Sequence, residues 1–316
     1  MILSTLEAIH ERHKDLQEGR VADYIPALGE ADPGHFGIAV VTADGQTYTV
    51  GDTDVPFTIQ SISKPLSFAL ALETCGAEET YRHVGTEPTG DSFNAINFDE
   101  ATNRPFNPMV NAGAIAMSAL IHDNCGADPF ETIRSTYGRL AGRGLDVDDI
   151  VYRSEKQTGH RNRAIAHLMR HANIIKDPVE DKLDLYFRQC SIRVTAKDLA
   201  VMAATLANIG QNPLTGETVF SPLNVRHVLS VMFTCGMYNY AGQWAVEVGL
   251  PAKSGVSGGI MAVVNRQIGI GIFSPPLDAH GNSVRGIKAC VDLAEEFGLH
   301  AFEFTNAGGG LLKAYL

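Results

Sequence analysis

No stretch of the 316-residue chain approaches the roughly 18 consecutive apolar residues that a bilayer span requires. No long basic run is present either. The 25 lysines and arginines stand against 36 acidic residues, for a net charge of −11. Nucleic acid and membranes are therefore not expected as partners. Cysteine is scarce. The five, Cys75, Cys125, Cys190, Cys235 and Cys290, are odd in number, widely spaced and without a CxxC pair. They read as reduced, packed thiols rather than a disulfide framework or a metal site. The opening MILSTLEAIHERHKDLQEGR has no basic start followed by an apolar core. No secretory signal is expected, and the protein reads as cytoplasmic. Internal repeats and low-complexity tracts are absent as well.

What is present suits a substantial core, with 45% hydrophobic and 19% charged residues. HFGIAVV, TADGQ and TYTVGD read as strand, turn and strand, with Asp44-Gly45 at the turn. SGGIMAVV, NRQ and IGIGIFS repeat that pattern near the other end. A helix is expected over Leu3–Gly19 before the first hairpin and over Asn282–Gly298 after the second. Between the hairpins the periodicity is helical, over Pro108–Asp123, Ala164–Ala172 and Pro178–Cys190. Thr195 with Asp198 reads as an N-cap with an acidic residue at N3, and Gly210 ends that helix. Ser221-Pro222 opens another helix, which Gly236 closes. The economical architecture is one antiparallel sheet built by both chain ends, flanked by helices, with a helical lobe inserted.

FTIQSISKPLSFAL, residues 57–70, carries the first chemical signal. Pro65 is tolerated only in the first turn of a helix, so a helix running to Gly76 should begin close to Ser61. Ser61 and Lys64, three apart, then share a face at the positive end of the helix dipole. A desolvated, neutral lysine there can activate a serine for attack on an acyl carbon. Ser63 faces another way. By itself S-x-x-K equally describes two solvated polar residues at a helix start. Lys253-Ser254-Gly255, before the second hairpin, resembles the K-T-G element of the serine β-lactamase and penicillin-binding-protein group. The S-D-N element of that group is missing, and Tyr238 in GMYNY offers a hydroxyl instead.

Longer blocks narrow the resemblance. ADYIPALG, GDTDVPFTIQSISKPL, NPMVNAGAI, SEKQTGHRN, LDLYFRQCSI, VMAATLANIG, CGMYNYAGQWA and LPAKSGVSGGI occur in that order. With them the chain is similar to the serine-dependent glutaminases, which hydrolyse L-glutamine to L-glutamate and ammonia on a β-lactamase-like α/β (α+β) fold. The resemblance implies Ser61 as nucleophile, Lys64 as its base and Tyr238 in proton transfer. It implies Glu155, Asn162, Asn111 and Tyr186 as substrate contacts, the Val256 and Ser61 amides as oxyanion hole, and Tyr24 near the site entrance. It implies no cofactor, no metal, and a homodimer or homotetramer. The expected organisation is a single catalytic domain, with a sheet lobe about 1–58 and 245–316 and a helical lobe about 59–244. Two other readings are a β-lactamase-like hydrolase and a non-catalytic amino-acid-binding relative.

Other signals are set aside. His167 and His171, four apart, lack H-E-x-x-H, and the sequence places no carboxylate or third histidine beside them. AKSG lacks the earlier glycine of a P-loop. The Ala307–Gly310 run follows no strand-turn-helix pattern that would bind a dinucleotide.

Overall fold

The two hairpins combine into one sheet. In this computed structural model, which describes residues 2–303, β1 (Gly37–Thr42) and β2 (Thr47–Gly51) form the first hairpin. β3 (Phe57–Thr58) and β4 (Arg193–Val194) pair separately as a short ribbon. β5 (Ala252–Ser254) precedes the second hairpin, β6 (Gly259–Val264) with β7 (Ile268–Phe273). The five-stranded sheet runs β2-β1-β7-β6-β5 and is antiparallel at every pairing. Gly45 takes φ 90° at the first turn, which the Asp44-Gly45 pair anticipates. The Ala307–Gly310 run and the remainder of the chain end lie outside the described residues.

The helices are α1 (Ile2–His13), α2 (Ser63–His83), α3 (Asn111–Asn124), α4 (Pro129–Ala141), α5 (Asp149–Thr158) and α6 (His160–His171). They continue as α7 (Val179–Cys190), α8 (Ala196–Ala207), α9 (Pro222–Cys235), α10 (Ala241–Glu247) and α11 (Val284–Phe297). Strand β1 shows how the layers divide. Ile38 and Val40 join a core with Leu6, Trp244 and Leu293 on one face. Ala39 and Val41 join a core with α8 and the other middle helices on the opposite face. The period of two sends alternate side chains to opposite faces, and both are covered. Close approach on the second face depends on missing side chains. A Cβ at Gly269 would stand 2.1 Å from the Ala204 nitrogen, and one at Gly271 would stand 2.0 Å from the Ala196 oxygen.

Several boundaries differ from the sequence expectation. α1 stops at His13 instead of running to Gly19, because the Arg285 guanidinium takes the Leu16 carbonyl at 2.7 and 3.1 Å. α3 begins at Asn111 rather than Pro108, because the Asn107 side chain accepts from the Met109 and Val110 amides and forms a turn. α2 is broken at Gly76, where φ is 78°, and a further helical segment follows. α4 and α5 lie outside the helices expected from sequence, though Asp128-Pro129 and Asp148 supply ordinary N-caps. The capping box at Thr195 and Asp198 is present with both bonds. Between α2 and α3, residues 84–110 form neither helix nor strand. His167 does meet a carboxylate, Glu180 at 4.0 Å, which the sequence spacing did not place there. Among the described residues no helix is long and apolar enough to cross a membrane.

Candidate active site

Ser61 lies in a single 3-10 turn, Gln60–Ile62, which feeds directly into α2. The turn starts from a constrained backbone, since Gln60 has φ 49° without being glycine. Lys64 is then in the first turn of α2, fully buried. Ser63 points away, its hydroxyl bonded to the Gln60 carbonyl at 2.7 Å. Burial holds Lys64 down, to about 7. Its Nζ donates to Asn111 Oδ1 at 2.7 Å and to the Tyr238 hydroxyl at 3.0 Å.

Among the described residues no hydrogen bond joins Ser61 directly to Lys64. Tyr238 lies between them: its hydroxyl accepts from Lys64 Nζ and neighbours the Ser61 side chain, which acts on its pKa. Tyr238 itself is held in a 3-10 turn after α9, with φ 56°, another left-handed non-glycine residue. Burial pushes its hydroxyl pKa up, and the neighbouring Ser61 side chain partly offsets this. Beneath it lies Lys253 of β5, fully buried, with Nζ 3.8 Å from the Tyr238 ring centroid. Burial, and then the neighbouring Lys64 charge, drive Lys253 well below the usual lysine range. The K-[ST]-G spacing marks Lys253 in the sequence, but nothing there places it under Tyr238.

Asn111 opens α3 and links the catalytic-type cluster to a second one. Its Nδ2 donates to Asn162 Oδ1 at 2.9 Å, and its Oδ1 lies 3.5 Å from the Tyr186 hydroxyl. Glu155, near the end of α5, faces the same space. It is 7% exposed, and its Oε2 has no hydrogen-bond partner among the described residues. Burial raises its pKa to about 8, while a Gln60 hydrogen bond and the Lys64 charge pull it down. An isolated buried carboxylate of this kind is costly unless a ligand completes it.

These residues line one cavity of about 120 Å³, with Ser61, Asn111, Glu155, Asn162 and Tyr186 among its walls. That is well below the roughly 300 Å³ of a site for drug-sized ligands, so it suits a small polar molecule. Tyr24, 53% exposed, also lines it. Phe93, Asn94 and Arg161 also line it and were not singled out in the sequence. The Arg161 Nε donates to the Asn94 carbonyl at 2.5 Å, and so holds residues 84–110 against the pocket.

Val256 lies in the turn between β5 and β6. The Gly255 and Gly258 amides bond within that turn, whereas the Val256 amide makes no turn hydrogen bond among the described residues. The turn is tied to the segment before Ser61 by Ser257 Oγ, which donates to the Thr58 carbonyl at 2.7 Å. Of the site residues expected from sequence, Lys64, Tyr238 and Val256 are absent from the walls of the small cavity, and Val256 stands apart from the other two. It lines a larger cavity beside it.

Comparison with known proteins agrees with this geometry. The Glutaminase family model matches residues 19–302. A glutaminase of Nostoc sp. is 52% identical over 309 residues, 98% of this chain and 92% of the relative. Glutaminase 1 of Bradyrhizobium diazoefficiens is 57% identical over 282 residues, 89% of this chain, which spans only 46% of that longer protein. The solved structure of the probable glutaminase ybaS superposes with TM-score 0.91 at 39% identity, covering 96% of this chain and 98% of that one. The structure of Mglu in its glutamate form superposes with TM-score 0.90 at 43% identity, covering 95% of this chain and 69% of that one. By similarity over almost its whole length, and with the antiparallel sheet flanked by helices, the chain belongs to the glutaminase family, on a β-lactamase-like fold.

Proposed function

We propose that this glutaminase converts L-glutamine and water to L-glutamate and ammonia through an acyl-enzyme on Ser61. The observation that carries the reading is Tyr238 beside Ser61, its hydroxyl accepting from a buried lysine whose pKa is held down to about 7. A neutral Lys64 accepts the serine proton, relayed by the Tyr238 hydroxyl, as Ser61 Oγ attacks the γ-amide carbon. The Val256 and Ser61 amides receive the oxyanion. Lys64, now protonated, returns the proton through Tyr238 to the leaving nitrogen, and ammonia departs. Water then attacks the ester by the same path, releasing glutamate and Ser61.

The substrate's amino-acid head is met by Glu155, whose unpartnered Oε2 suits the α-ammonium. Asn111, Asn162 and Tyr186 supply neutral donors and acceptors around it. The glutamate form of Mglu, a 43% identical relative, supports a site for an amino acid of this kind. A β-lactam or peptide substrate is disfavoured by the small cavity. A binding-only role is disfavoured by the displaced Lys64.

The same reading holds the chain to be a cytoplasmic homodimer or homotetramer. Its single catalytic domain comprises a sheet lobe about 1–58 and 245–316 and a helical lobe about 59–244. The test of function is ammonia release from glutamine beside hydrolysis of a chromogenic β-lactam. Glutamine turnover alone is the expected result. Turnover of the β-lactam alone, or of neither, would overturn the proposal.

A further inference from the structure

Two short stretches far from the reacting atoms share one pattern. Cys75-Gly76-Ala77-Glu78 and Cys125-Gly126-Ala127-Asp128 both read cysteine, glycine, alanine, acid. Each cysteine closes a helical run, the first of α2 and the whole of α3. Each following glycine is left-handed, with φ 78° at Gly76 and 74° at Gly126. A Cβ at either glycine would meet nothing within 4 Å, so the backbone beside each cysteine has room to adjust.

The packing brings these two helix ends together. Lys64, in the first turn of α2, meets Asn111, at the start of α3, at 2.7 Å. Further along both helices Ser67 and Ser118 share the Gln189 side-chain oxygen, at 2.9 and 3.2 Å. α2 and α3 therefore lie side by side and run the same way. Cys75 follows Ser67 by eight residues and Cys125 follows Ser118 by seven, about two helical turns in each case. Both cysteines thus return to the face on which the serines meet. Thr74 lies with them: its hydroxyl is 3.5 Å from Cys75 Sγ, and Thr74 and Cys75 both act on the Cys125 thiol. The pair is half-buried against one core, whereas Cys190, Cys235 and Cys290 are buried. Burial raises both thiol pKa values, so the pair reacts faster as pH rises.

We propose that Cys75 and Cys125 are a reversible dithiol–disulfide pair, and that a low-molecular-weight disulfide oxidises them and locks the ends of α2 and α3 together. One cysteine thiolate attacks the S–S bond of the oxidant, forming a mixed disulfide and releasing one small thiol. The other thiolate attacks the protein sulfur of that mixed disulfide. The Cys75–Cys125 bond forms and the second small thiol leaves. The protein gives up two electrons and two protons, and the oxidant becomes two thiols. The new bond closes a ring of about fifty residues, which restricts the unfolded chain and so favours the folded one. That ring contains Asn111 and the segment that brings Phe93 and Asn94 to the pocket wall.

The experiment incubates the reduced full chain, freed of reductant, with oxidised glutathione at about pH 8.5, where the thiolate fraction is appreciable. Free thiols are counted in denaturant, proteolytic peptides are mapped by mass spectrometry, and Tm is measured. Free thiols should fall from five to three, with one peptide pair joined through Cys75 and Cys125. Tm should rise by about 5 °C and return on addition of dithiothreitol. Cys75→Ser and Cys125→Ser should each leave a single glutathione adduct on the remaining partner, with no rise in Tm. Stable glutathione adducts on both cysteines of the native chain without a cross-link, a cross-link through any other cysteine, or no loss of thiols would overturn the pairing. The peptide map of the native chain reads the bond itself, so this test stands apart from glutamine hydrolysis and from the folding of either variant.

Discussion

Two buried polar clusters sit within one turn of each other on α2, and they differ in what they leave unfinished. One is built on Ser67. Its hydroxyl meets that of Tyr137 at 2.7 Å and the Gln189 side-chain oxygen at 2.9 Å, and Ser118 reaches the same oxygen at 3.2 Å. Tyr137 donates to the Ser63 carbonyl at 2.9 Å, tying the network to the first turn of the helix. Every member has partners, so this cluster fixes the start of α2 and has no capacity to spare. The other is built on Lys64. There a lysine is driven toward neutrality, a carboxylate keeps an unpartnered oxygen, and two residues hold left-handed backbone without being glycine. The contrast teaches that burial alone does not make a site. On the proposed reading the reactive cluster is the one with hydrogen-bonding left for a zwitterion to complete.

The comparison can be broken most severely at Ser61. Ser61→Ala should lower turnover by roughly 10⁴-fold or more, while isothermal titration still detects glutamine binding. Retained turnover in Ser61→Ala together with its loss in Ser63→Ala would place the nucleophile elsewhere. Tyr238→Phe removes one oxygen from the relay and should cost about 10²–10⁴-fold in kcat with little change in binding. Turnover within error of the native enzyme would mean that Ser61 reaches Lys64 without it.

Glu155→Gln comes next in size. It removes a charge-assisted contact of about 1.5–3 kcal/mol, so KM should rise roughly 10- to 100-fold with kcat much less affected. A γ-amide lacking the α-amino group should lose little from the same change. Equal harm to both substrates would make Glu155 a structural residue rather than the ammonium reader. The smallest kinetic effect is expected in the satisfied cluster. Gln189→Leu leaves two buried hydroxyls short of a partner and should cost about 1–3 kcal/mol of stability, seen as a lowered Tm. Measured well below that Tm, kcat/KM should change by less than about threefold, as befits a group that makes no substrate contact. A loss matching that of Glu155→Gln would erase the distinction between the clusters.

How much of this was legible in the sequence depends on the distance a signal must travel. Local signals read well. Asp44-Gly45, the Thr195–Asp198 box and Ser221-Pro222 each report a turn or cap formed within four residues. Both hairpins, and hence the shared sheet, follow from the alternation of their apolar residues. α4 and α5 carry equally local caps at Asp128 and Asp148, yet lie outside the helices expected from sequence. Ser61 and Lys64 were visible as a spacing, but the tyrosine between them is 174 residues from Lys64 and belongs to another turn. The same holds for Asn111, which joins Lys64 to Asn162, and for Lys253 under the Tyr238 ring. No local pattern announces that Glu155 is buried or that one of its oxygens is unpaired. Those are properties of packing, and the longer resemblance implies the residues without giving their electrostatics.

The central claim is that burial holds Lys64 near neutrality and raises Glu155, so that deprotonation of both favours the reaction. The most direct measurement is kcat/KM for glutamine from about pH 6 to about pH 8.5, with Glu155→Gln run alongside. Lys64 is a base only when neutral, so activity should be lost as pH falls through about 7. Glu155 binds an ammonium best as the carboxylate, so a further gain is expected as pH rises through about 8. The native profile should therefore climb across the whole range, and Glu155→Gln should retain only the rise near 7. A native profile that is flat or that falls toward alkaline pH, or an upper rise that survives Glu155→Gln unchanged, would contradict the account.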